Sequence, residues 1–584
     1  MLHYHISAQP QQHLFEVTLT LTPTTSELTL QMANWTSGSY LIRDYVSRLR
    51  HPHATMGRFI QHDKNTWLLT ELTPNVPVSI IWSVFANSPR VHDAQINSDY
   101  GFINPAALFL IPEKSYDGDI TVTFDGHYQV YTSLTPTSEL NQFTAPDLDT
   151  LLDCPFTLTG PLAPAQCIDF VVNQIPHRMV ITGAPSLNLD MIAHDVTRLC
   201  EYIHGFWSGV PFDHYLFHLH LGPGLYGGLE HQNSCVLQKD LYELPGAHES
   251  SAPKGYLDFL QLVAHEYFHA WLVKFLRPEV LLPYPLTQSE TFTELLWVFE
   301  GFTSYYEQLI PYRAGLVDEA DFWRSLSERF NGVKHKEGLY RQALSQSSFN
   351  AWTQLYKPTD DSPYTQSSYY GKGAVLAFML DMHIREISHR QCSLDTLLAL
   401  WFRNAIENPD WRTLPEYGLG ELFTRLGFLD ISSIIERLTR TQDNRLWNAL
   451  WQRTLGLVGL TEVLAQSQTH LGARLGLFVK TQAEHPYPVI TYTHSGGVAY
   501  QAGLFAGDKI IAVSGIEVTP SSLERALLQR AGQSVTISFF RMGQLQSTSF
   551  VMPTDAPLEL KQLAVEQLTP LGQEWLQGTL FQPE

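Results

Sequence analysis

Cysteine is scarce in this chain of 584 residues, which contains only five. Their number is odd, their spacing is wide, and no Cys-x-x-Cys pair occurs. This pattern argues against a disulfide framework and against a cysteine-based metal site. We therefore expect buried free thiols and a cytoplasmic location for a chain whose cysteines are Cys154, Cys167, Cys200, Cys235 and Cys392.

Long hydrophobic runs and an excess of basic residues are also missing. No segment approaches the roughly 18 consecutive apolar residues that indicate a transmembrane helix. Lys and Arg number 37 against 58 Asp and Glu, which gives a formal net charge of −21. Such a chain has no global attraction for nucleic acid or anionic lipid, so we expect neither nucleic acid nor a membrane as a partner. Residues 1–7 have no signal-peptide pattern and predict a strand.

Apolar material is sufficient for several packed cores, since 44% of the residues are hydrophobic. Residues 1–175 contain runs of period two, such as 15–21 and 120–124, which predict an antiparallel β domain. Strand and helix patterns alternate after residue 191, and helical patterns dominate beyond residue 318. Short strands return at 471–552. Helices are predicted at 191–207, 256–275, 295–309, 373–387, 393–407, 432–438 and 520–530, a strand at 215–221, and a helical tail at 558–580.

The strongest motif is His265-Glu266-Tyr267-Phe268-His269, which matches H-E-x-x-H inside the predicted helix 256–275. Positions i and i+4 share one helix face, so both imidazoles can bind one zinc ion. Glu266 can act as the general base that takes a proton from the attacking water. Because the flanking residues are apolar, burying this motif without a metal would be costly.

A catalytic zinc site needs a third protein ligand and keeps one position open. The best candidate is Glu300, a lone carboxylate in the apolar and aromatic helical stretch 295–309. Spacing alone leaves an alternative, which is a partly buried glutamate with a local salt bridge of its own.

These residues resemble the signature of the glycyl aminopeptidase family of zinc metallopeptidases, relatives of aminopeptidase N. In both groups H-E-x-x-H is followed one helix later by a Glu-Gly-Phe stretch. The resemblance implies one Zn²⁺ ion bound by His265, His269 and Glu300. Residues 35–44 resemble the family's N-terminal Trp-x-Pro-Gly-Ser-Tyr signature, with Ser37 in place of Pro, and residues 568–576 resemble its C-terminal tail.

The resemblance also implies a multidomain α+β fold. We expect an N-terminal antiparallel β domain (1–175), a thermolysin-like zinc peptidase core (176–345), a helical domain (346–465), a PDZ domain (466–555) and a C-terminal helical tail (556–584).

Gly227-Gly228-Leu229-Glu230-His231 follows the predicted strand 215–221. A carboxylate beside two glycines lets a substrate backbone approach closely and can bind a free α-ammonium. The stretch resembles the Gly-x-Met-Glu-Asn exopeptidase motif of aminopeptidase N, with Leu229 for Met and His231 for Asn. The resemblance implies that Glu230 binds the substrate's amine. A loop glutamate in water is the alternative.

Two patterns nearby imitate other sites. Residues 222–227 fit G-x-G-x-x-G after a strand, but no helical pattern follows, so we do not expect a dinucleotide site. His218 and His220 alternate on the predicted strand and could imitate a metal pair. We interpret them as strand histidines that lie half in water.

Tyr370-Gly371-Lys372-Gly373 opens the helical stretch 373–387. It resembles the Tyr-x-Lys-Gly segment of the aminopeptidase N group, which implies that the Tyr370 hydroxyl donates to the oxyanion of the tetrahedral intermediate. The neighbouring Tyr369 remains an alternative donor, and a packing role remains an alternative function.

Arg474-Leu475-Gly476-Leu477 resembles the carboxylate-binding loop of a PDZ domain, in which backbone amides capture a chain terminus beside an added strand. A C-terminal peptide is therefore a candidate ligand. A PDZ fold with an unused groove is equally compatible with the sequence.

The sequence thus predicts a zinc-dependent aminopeptidase that removes small N-terminal residues, Gly or Ala, from peptides with a free N-terminus. The preference for small residues is implied by the resemblance alone. The alternatives are a PDZ-recruited zinc endopeptidase and a non-catalytic PDZ scaffold. An intact Glu266 argues against the scaffold, because a structural zinc site does not use that base.

Overall fold

The structure is a computed structural model. It describes residues 2–113, 120–126, 128–183, 186–428, 431–464, 471–482, 485–558 and 561–578. None of the helices in these ranges is long and apolar enough to cross a membrane. The chain divides into two compact units, of which the first contains 1–318, 392–433 and 576–584 and the second contains 319–391 and 434–575. The five-domain division stays a prediction.

The N-terminal part is built from three sheets, as the period-two runs predicted. Their strand orders are β13-β14-β11-β1-β2-β7-β4, β10-β3-β6-β5 and β12-β15-β9-β8. The pairing is antiparallel except between β1 and β11, which run parallel. The elements are β1 Leu2–Gln9, β2 Leu14–Leu21, β3 Leu28–Met32, β4 Leu49–Ala54, β5 Arg58–Gln61, β6 Thr66–Thr70, β7 Val78–Phe85, β8 Ala94–Ile96, β9 Tyr100–Ile103, β10 Leu110–Pro112, β11 Ile120–Phe124, β12 Gln129–Tyr131, β13 Thr135–Pro136, β14 Gln142–Ala145, α1 Leu148–Leu152 and β15 Phe156–Thr159.

The next segment forms a mixed sheet with helices packed against it. The strand order is β16-β17-β18-β20-β19, in which β17, β18 and β20 run parallel and β19 is an antiparallel edge strand. The elements are β16 Gln166–Val172, β17 Ile175–Thr182, α2 Leu189–Trp207, β18 Tyr215–Leu221, β19 Gly227–Glu230, β20 Ser234–Lys239, α3 Tyr256–Phe268, β21 Arg277–Pro278 and α4 Leu296–Arg313.

Helices follow, as their apolar periodicity predicted. Ser368 and Ser393 cap two of them with their side chains, which accept from backbone amides of the first turn. The elements are α5 Glu319–Lys334, α6 Leu344–Phe349, α7 Ser362–Thr365, α8 Tyr369–Ile387, α9 Leu394–Glu407, β22 Thr413–Leu414, α10 Gly418–Arg425, α11 Ser432–Arg440 and α12 Asn444–Val458.

The C-terminal part contains a small sheet of order β24-β25-β26-β28-β29 with its own apolar core. The predicted multidomain α+β fold with a C-terminal PDZ domain is confirmed. The elements are β23 Leu460–Leu464, α13 Leu471–Leu475, β24 Leu477–Gln482, β25 His485–Thr493, α14 Val498–Gln501, β26 Lys509–Val513, β27 Ile516–Glu517, α15 Leu523–Leu528, β28 Ser534–Arg541, β29 Gln544–Val551, β30 Lys561–Val565 and α16 Pro570–Gln577.

Two predicted helices depart furthest from the bounds that the structure gives. The prediction that the motif helix reaches residue 275 was wrong, because α3 ends at Phe268 with His269 as its C-cap. The chain turns at Val273, which has φ +99° and donates to the carbonyl of Leu276. The helical tail at 558–580 was wrong in its first half, because Lys561–Val565 pairs with β23 before α16 begins. Residues 559–560 and 579–584 lie outside the described residues.

None of the five cysteines forms a disulfide, as predicted, but not all of them are buried. Cys154, Cys200 and Cys235 are buried, whereas Cys167 is exposed and Cys392 is half-buried. Cys167 differs because β16 is the edge strand of its sheet, where alternate side chains face solvent.

Candidate active site

Two helices bring together the three predicted metal ligands. His265 lies in the last turn of α3, His269 caps that helix, and Glu300 lies near the start of α4. The Nε2 atoms of the two histidines are 3.0 Å apart. Oε2 of Glu300 lies 3.1 Å from Nε2 of His269 and 3.7 Å from Nε2 of His265. Within the described residues, these side chains are grouped closely enough to share one metal ion.

The second nitrogen of each imidazole shows which atoms can bind a cation. Nδ1 of His269 lies 2.9 Å from the carbonyl oxygen of Leu272, which can only accept, so this nitrogen carries a proton. Nδ1 of His265 donates to Oε2 of Glu307 at 2.5 Å. In neutral imidazoles both Nε2 atoms are then unprotonated, and they face each other beside a carboxylate. This His₂Glu donor set fits zinc.

Glu300 is buried, with 2% of its surface exposed. Burial raises the pKa of its carboxyl, but the charge of His269 and the hydrogen bonds from both histidines outweigh burial and hold the pKa at about 2. Among the described residues, His265 and His269 are also the ion-pair partners of Glu300. The carboxylate is therefore ionised where a cation would bind.

Glu307 is a residue of this site that the sequence reasoning missed. Its Oε2 accepts from Nδ1 of His265, and its Oε1 accepts from the side-chain amide of Gln308 at 3.3 Å. Gln261 on α3 in turn donates to Gln308 at 3.1 Å. The spacing of seven residues from Glu300 places both glutamates on one helix face, and this periodicity could have identified Glu307.

Glu307→Ala should weaken zinc binding about 10- to 100-fold, because an imidazole ligand loses the carboxylate that orients it and sets its tautomer. Competition with a chromophoric chelator measures the zinc dissociation constant. Glu201→Ala is a matched control, since Glu201 is exposed on α2, and it should bind zinc like the wild type. Equal affinity in the Glu307 and Glu201 variants would remove Glu307 from the site.

Glu266 lies beside the metal ligands and is 5% exposed. Its Oε2 has no hydrogen-bond partner among the described residues. A Cβ atom at Gly228 on β19 would lie 1.9 Å from Oε1 of Glu266, so the strand can pass the carboxylate only because residue 228 is glycine. Burial raises the pKa of Glu266 to about 7, against the opposing effect of His265. A group with this pKa can take up and release a proton near neutral pH.

Glu230 lies two residues after Gly228 on β19 and therefore faces the same side of the sheet. It is 4% exposed, and its Oε1 has no hydrogen-bond partner among the described residues. Gly38 covers it, since a Cβ there would lie 2.5 Å from both carboxylate oxygens. Burial raises the pKa of Glu230, and the charge of His269 opposes that rise. The sequence alternative of a glutamate in water was wrong for this carboxylate.

The edge strand β19 offers backbone groups to an extended ligand. It pairs with β20 on one side, with Glu230 opposite Cys235, and it is the last strand in the order of its sheet. An extended peptide can add to such an edge by main-chain hydrogen bonds. Residues 222–227 lead into this strand and not into a helix, as predicted, so the geometry does not support a dinucleotide site.

The interpretation of His218 and His220 as half-solvated was wrong. They are 0% and 3% exposed, because the N-terminal strand β9 packs on this face of β18 and places Tyr100 and Phe102 against His220. Each histidine is instead paired with a threonine at 2.8 Å. Burial lowers the pKa of His220 to about 3, so it is neutral.

Tyr370 lies in the first turn of α8, in the second compact unit. Its ring stacks on Tyr369 with centroids 4.6 Å apart, and its hydroxyl lies 3.3 Å from that of Tyr356. Tyr369 is fully buried, whereas Tyr370 is half-buried. The oxyanion role of Tyr370 stays a prediction.

The predicted PDZ carboxylate loop is partly helical. Arg474 and Leu475 belong to α13, and the amide of Gly476 donates to the carbonyl of Gly472 at 3.0 Å. Leu475 and Leu477 are buried in the apolar core of this domain. Capture of a carboxylate by Gly476 would therefore require its amide to leave Gly472, and the role of this loop stays a prediction.

Profiles of known protein families match three parts of the chain. The profile of the M61 glycyl aminopeptidase matches residues 258–376, that of the peptidase M61 N-terminal domain matches residues 3–159, and that of a PDZ domain matches residues 489–541. No curated protein sequence matches the chain.

The chain is similar to proteins of known structure, the first of which has the same fold. A crystal structure of an aminopeptidase N family protein from Idiomarina loihiensis is 29% identical with a TM-score of 0.89, and the match covers 99% of this chain and 100% of that one. An M1 zinc metallopeptidase from Deinococcus radiodurans is 13% identical with a TM-score of 0.46, over 76% of this chain and 93% of that one.

The family profile and the fold support a peptide hydrolase, and His265, His269 and Glu300 form a candidate metal-binding cluster in it. More specifically, the chain carries the domains of the M61 glycyl aminopeptidases together with a PDZ domain, as its sequence predicted.

Proposed function

We propose that this chain is a zinc-dependent aminopeptidase that removes small N-terminal residues, glycine or alanine, from peptides. The observation that carries the proposal is the position of Glu230. Glu230 and Gly228 lie on the same face of β19, and Gly228 contacts Glu266. A buried carboxylate with a partnerless oxygen in this cleft is suited to bind the α-ammonium of a substrate. The preference for small residues follows from the family resemblance.

Each group in the cleft has a separate task. His265, His269 and Glu300 would hold one zinc ion, and Glu307 orients His265. Zinc bound there would polarise the scissile carbonyl and lower the pKa of a water molecule. Glu266 takes the proton of the attacking water and returns it to the leaving amine. The edge of β19 pairs with the peptide backbone, and Glu230 fixes the N-terminus.

Glu230→Ala should lower kcat/KM for a glycyl amide about 30- to several-thousand-fold. Truncating one partner of a desolvated charged hydrogen bond costs about 2–5 kcal/mol, which converts to that range. The loss should be much smaller for any residual cleavage of the N-acetylated amide, because that substrate has no α-ammonium. Steady-state kinetics on both substrates measure the contrast.

The two substrates also separate this proposal from an endopeptidase. Equal losses on both in Glu230→Ala would show that the substitution disturbs the cleft in general. Efficient cleavage inside acetylated peptides by the wild-type protein would favour the endopeptidase, with the PDZ domain recruiting C-terminal peptides.

We further propose a cytoplasmic location for the protein. The support is that none of the five cysteines forms a disulfide and that Cys167 is exposed. Exposed free thiols persist in reducing compartments. Thiol titration of protein isolated from the cytoplasmic fraction should find reduced cysteines, and a disulfide there would contradict the proposal.

A further inference from the structure

An ion pair between Asp153 and Lys274 has no task in the proposed reaction. Nζ of Lys274 lies 2.5 Å from Oδ1 of Asp153, and the exposed fractions of the two side chains are 2% for the lysine and 19% for the aspartate. The same Nζ donates to Oγ of Ser37 at 2.8 Å. Asp153 also accepts from the amide of Gln232 at 2.8 Å and pairs with Nδ1 of His231 at 3.1 Å. The pair therefore joins the N-terminal loop, the segment after β19 and the loop after α3.

The pair contacts Ser37, and the next residue in the chain lies against the proposed amine anchor. The Cβ position of Gly38 is 2.5 Å from the carboxylate oxygens of Glu230. The Ser37-Gly38 segment therefore contacts Lys274 through Ser37 and Glu230 through Gly38.

Both residues of the pair and Ser37 also line a cavity of about 610 Å³. This volume is in the range of pockets that hold small ligands, roughly 300–1,000 Å³. An acyl group or further residues on the amine would need room beyond Glu230. The wall of the cavity includes Ser37, Asp153, Gln232, Lys274, Arg277 and Tyr284.

We propose that the Asp153–Lys274 pair, together with Ser37, forms a partition that determines exopeptidase specificity. The partition closes the substrate cleft behind Glu230 and keeps N-terminal extensions of the substrate out of the cavity. The inference rests on the proposed aminopeptidase function. The pair is suited to this task because hydrogen bonds to Ser37, to the amide of Gln232 and to His231 hold the two side chains in place.

The test compares two double variants as full-length, zinc-loaded proteins. Asp153→Ala/Lys274→Ala removes the partition without leaving an unpaired charge. Asp153→Asn/Lys274→Met is the matched control, because it removes both charges but keeps most of the volume. The measurement is the ratio of kcat/KM for N-acetylglycine p-nitroanilide to that for glycine p-nitroanilide. We expect the ratio to rise at least about tenfold in the alanine variant and to stay near the wild-type ratio in the control.

Zinc content and thermal unfolding show whether each variant is folded. An unchanged ratio in a folded alanine variant would overturn the proposal and leave the pair with a structural task. An equal rise of the kcat/KM ratio in the asparagine/methionine control would overturn the proposal as well. The charge of the pair, and not its volume, would then determine whether the acetylated substrate is excluded. If the alanine variant does not fold, the same ratio is measured for Ser37→Gly, which removes one side chain of the partition and keeps the ion pair. A raised ratio supports the proposal, and an unchanged one overturns it.

Failure of this inference differs from failure of the proposed function. A wild-type protein that cleaves the acetylated substrate as well as the free one contradicts the aminopeptidase proposal itself. A wild-type protein that refuses the acetylated substrate, with variants that refuse it equally, contradicts the partition alone.

Discussion

Glu266→Gln is expected to keep the fold and the zinc content of the protein and to lower kcat about 10²- to 10⁴-fold. The amide has nearly the shape of the carboxylate, but it cannot take a proton from the attacking water. The free Oε2 of Glu266 makes no hydrogen bond in the described part of the chain that this substitution would remove. The loss should therefore appear in the chemical step and not in stability.

Turnover at saturating glycyl amide measures this effect, with metal analysis and thermal unfolding on the same preparations. Glu201→Gln provides the matched control, because it makes the same chemical change on an exposed position of α2 and should leave kcat unchanged. A Glu266→Gln protein that turns over at nearly the wild-type rate would exclude Glu266 as the base.

The candidate metal site was predictable because its residues are spaced by helix geometry. The i,i+4 spacing of His265 and His269 and the following carboxylate helix are local patterns that survive in any packing of the two helices. The bounds of α3 were less predictable. Apolar residues continue past His269 because that segment is buried, and burial alone does not distinguish a helix from a turn.

Residues held by distant segments gave no signal in the sequence. Asp153 lies in a short segment between α1 and β15, and nothing in its neighbourhood indicates that it meets Lys274. Gly38 likewise has no spacing relation to Glu230, although the two are in close contact. Such contacts arise from tertiary packing of the N-terminal sheets on the segment that carries β19.

The strand histidines illustrate a different error, in which the sequence contained a pattern but the pattern indicated the wrong environment. Alternation of His218 and His220 with leucines predicted one wet face on β18. A central strand of a mixed sheet is covered on both faces. The alternating histidines and leucines of β18 therefore face two different buried environments. Thr182 lies in the neighbouring strand β17 and Thr157 in β15 of an N-terminal sheet, and only the folded chain brings them within hydrogen-bond distance of the two imidazoles.

Glu300→Ala is expected to have the second large effect, the loss of zinc together with activity. The variant leaves two imidazole nitrogens and removes the one anionic oxygen of the proposed ligand set. The loss of zinc affinity should exceed the 10- to 100-fold expected for Glu307→Ala, because Glu307 acts only through His265. The order of the two effects therefore tests the assignment of ligand and orienting residue.

Zinc competition with a chelator gives both affinities, and activity at increasing zinc concentrations gives a second reading. If Glu300 is a ligand, excess zinc should restore part of the metal content of Glu300→Ala only at concentrations far above those that saturate Glu307→Ala. Thermal unfolding in the presence of a chelator is the control, because it shows whether the zinc-free variant is folded. A variant that had lost its structure would fail to bind zinc at any concentration. Wild-type zinc affinity in Glu300→Ala, or a weaker effect than that of Glu307→Ala, would remove Glu300 from the ligand set.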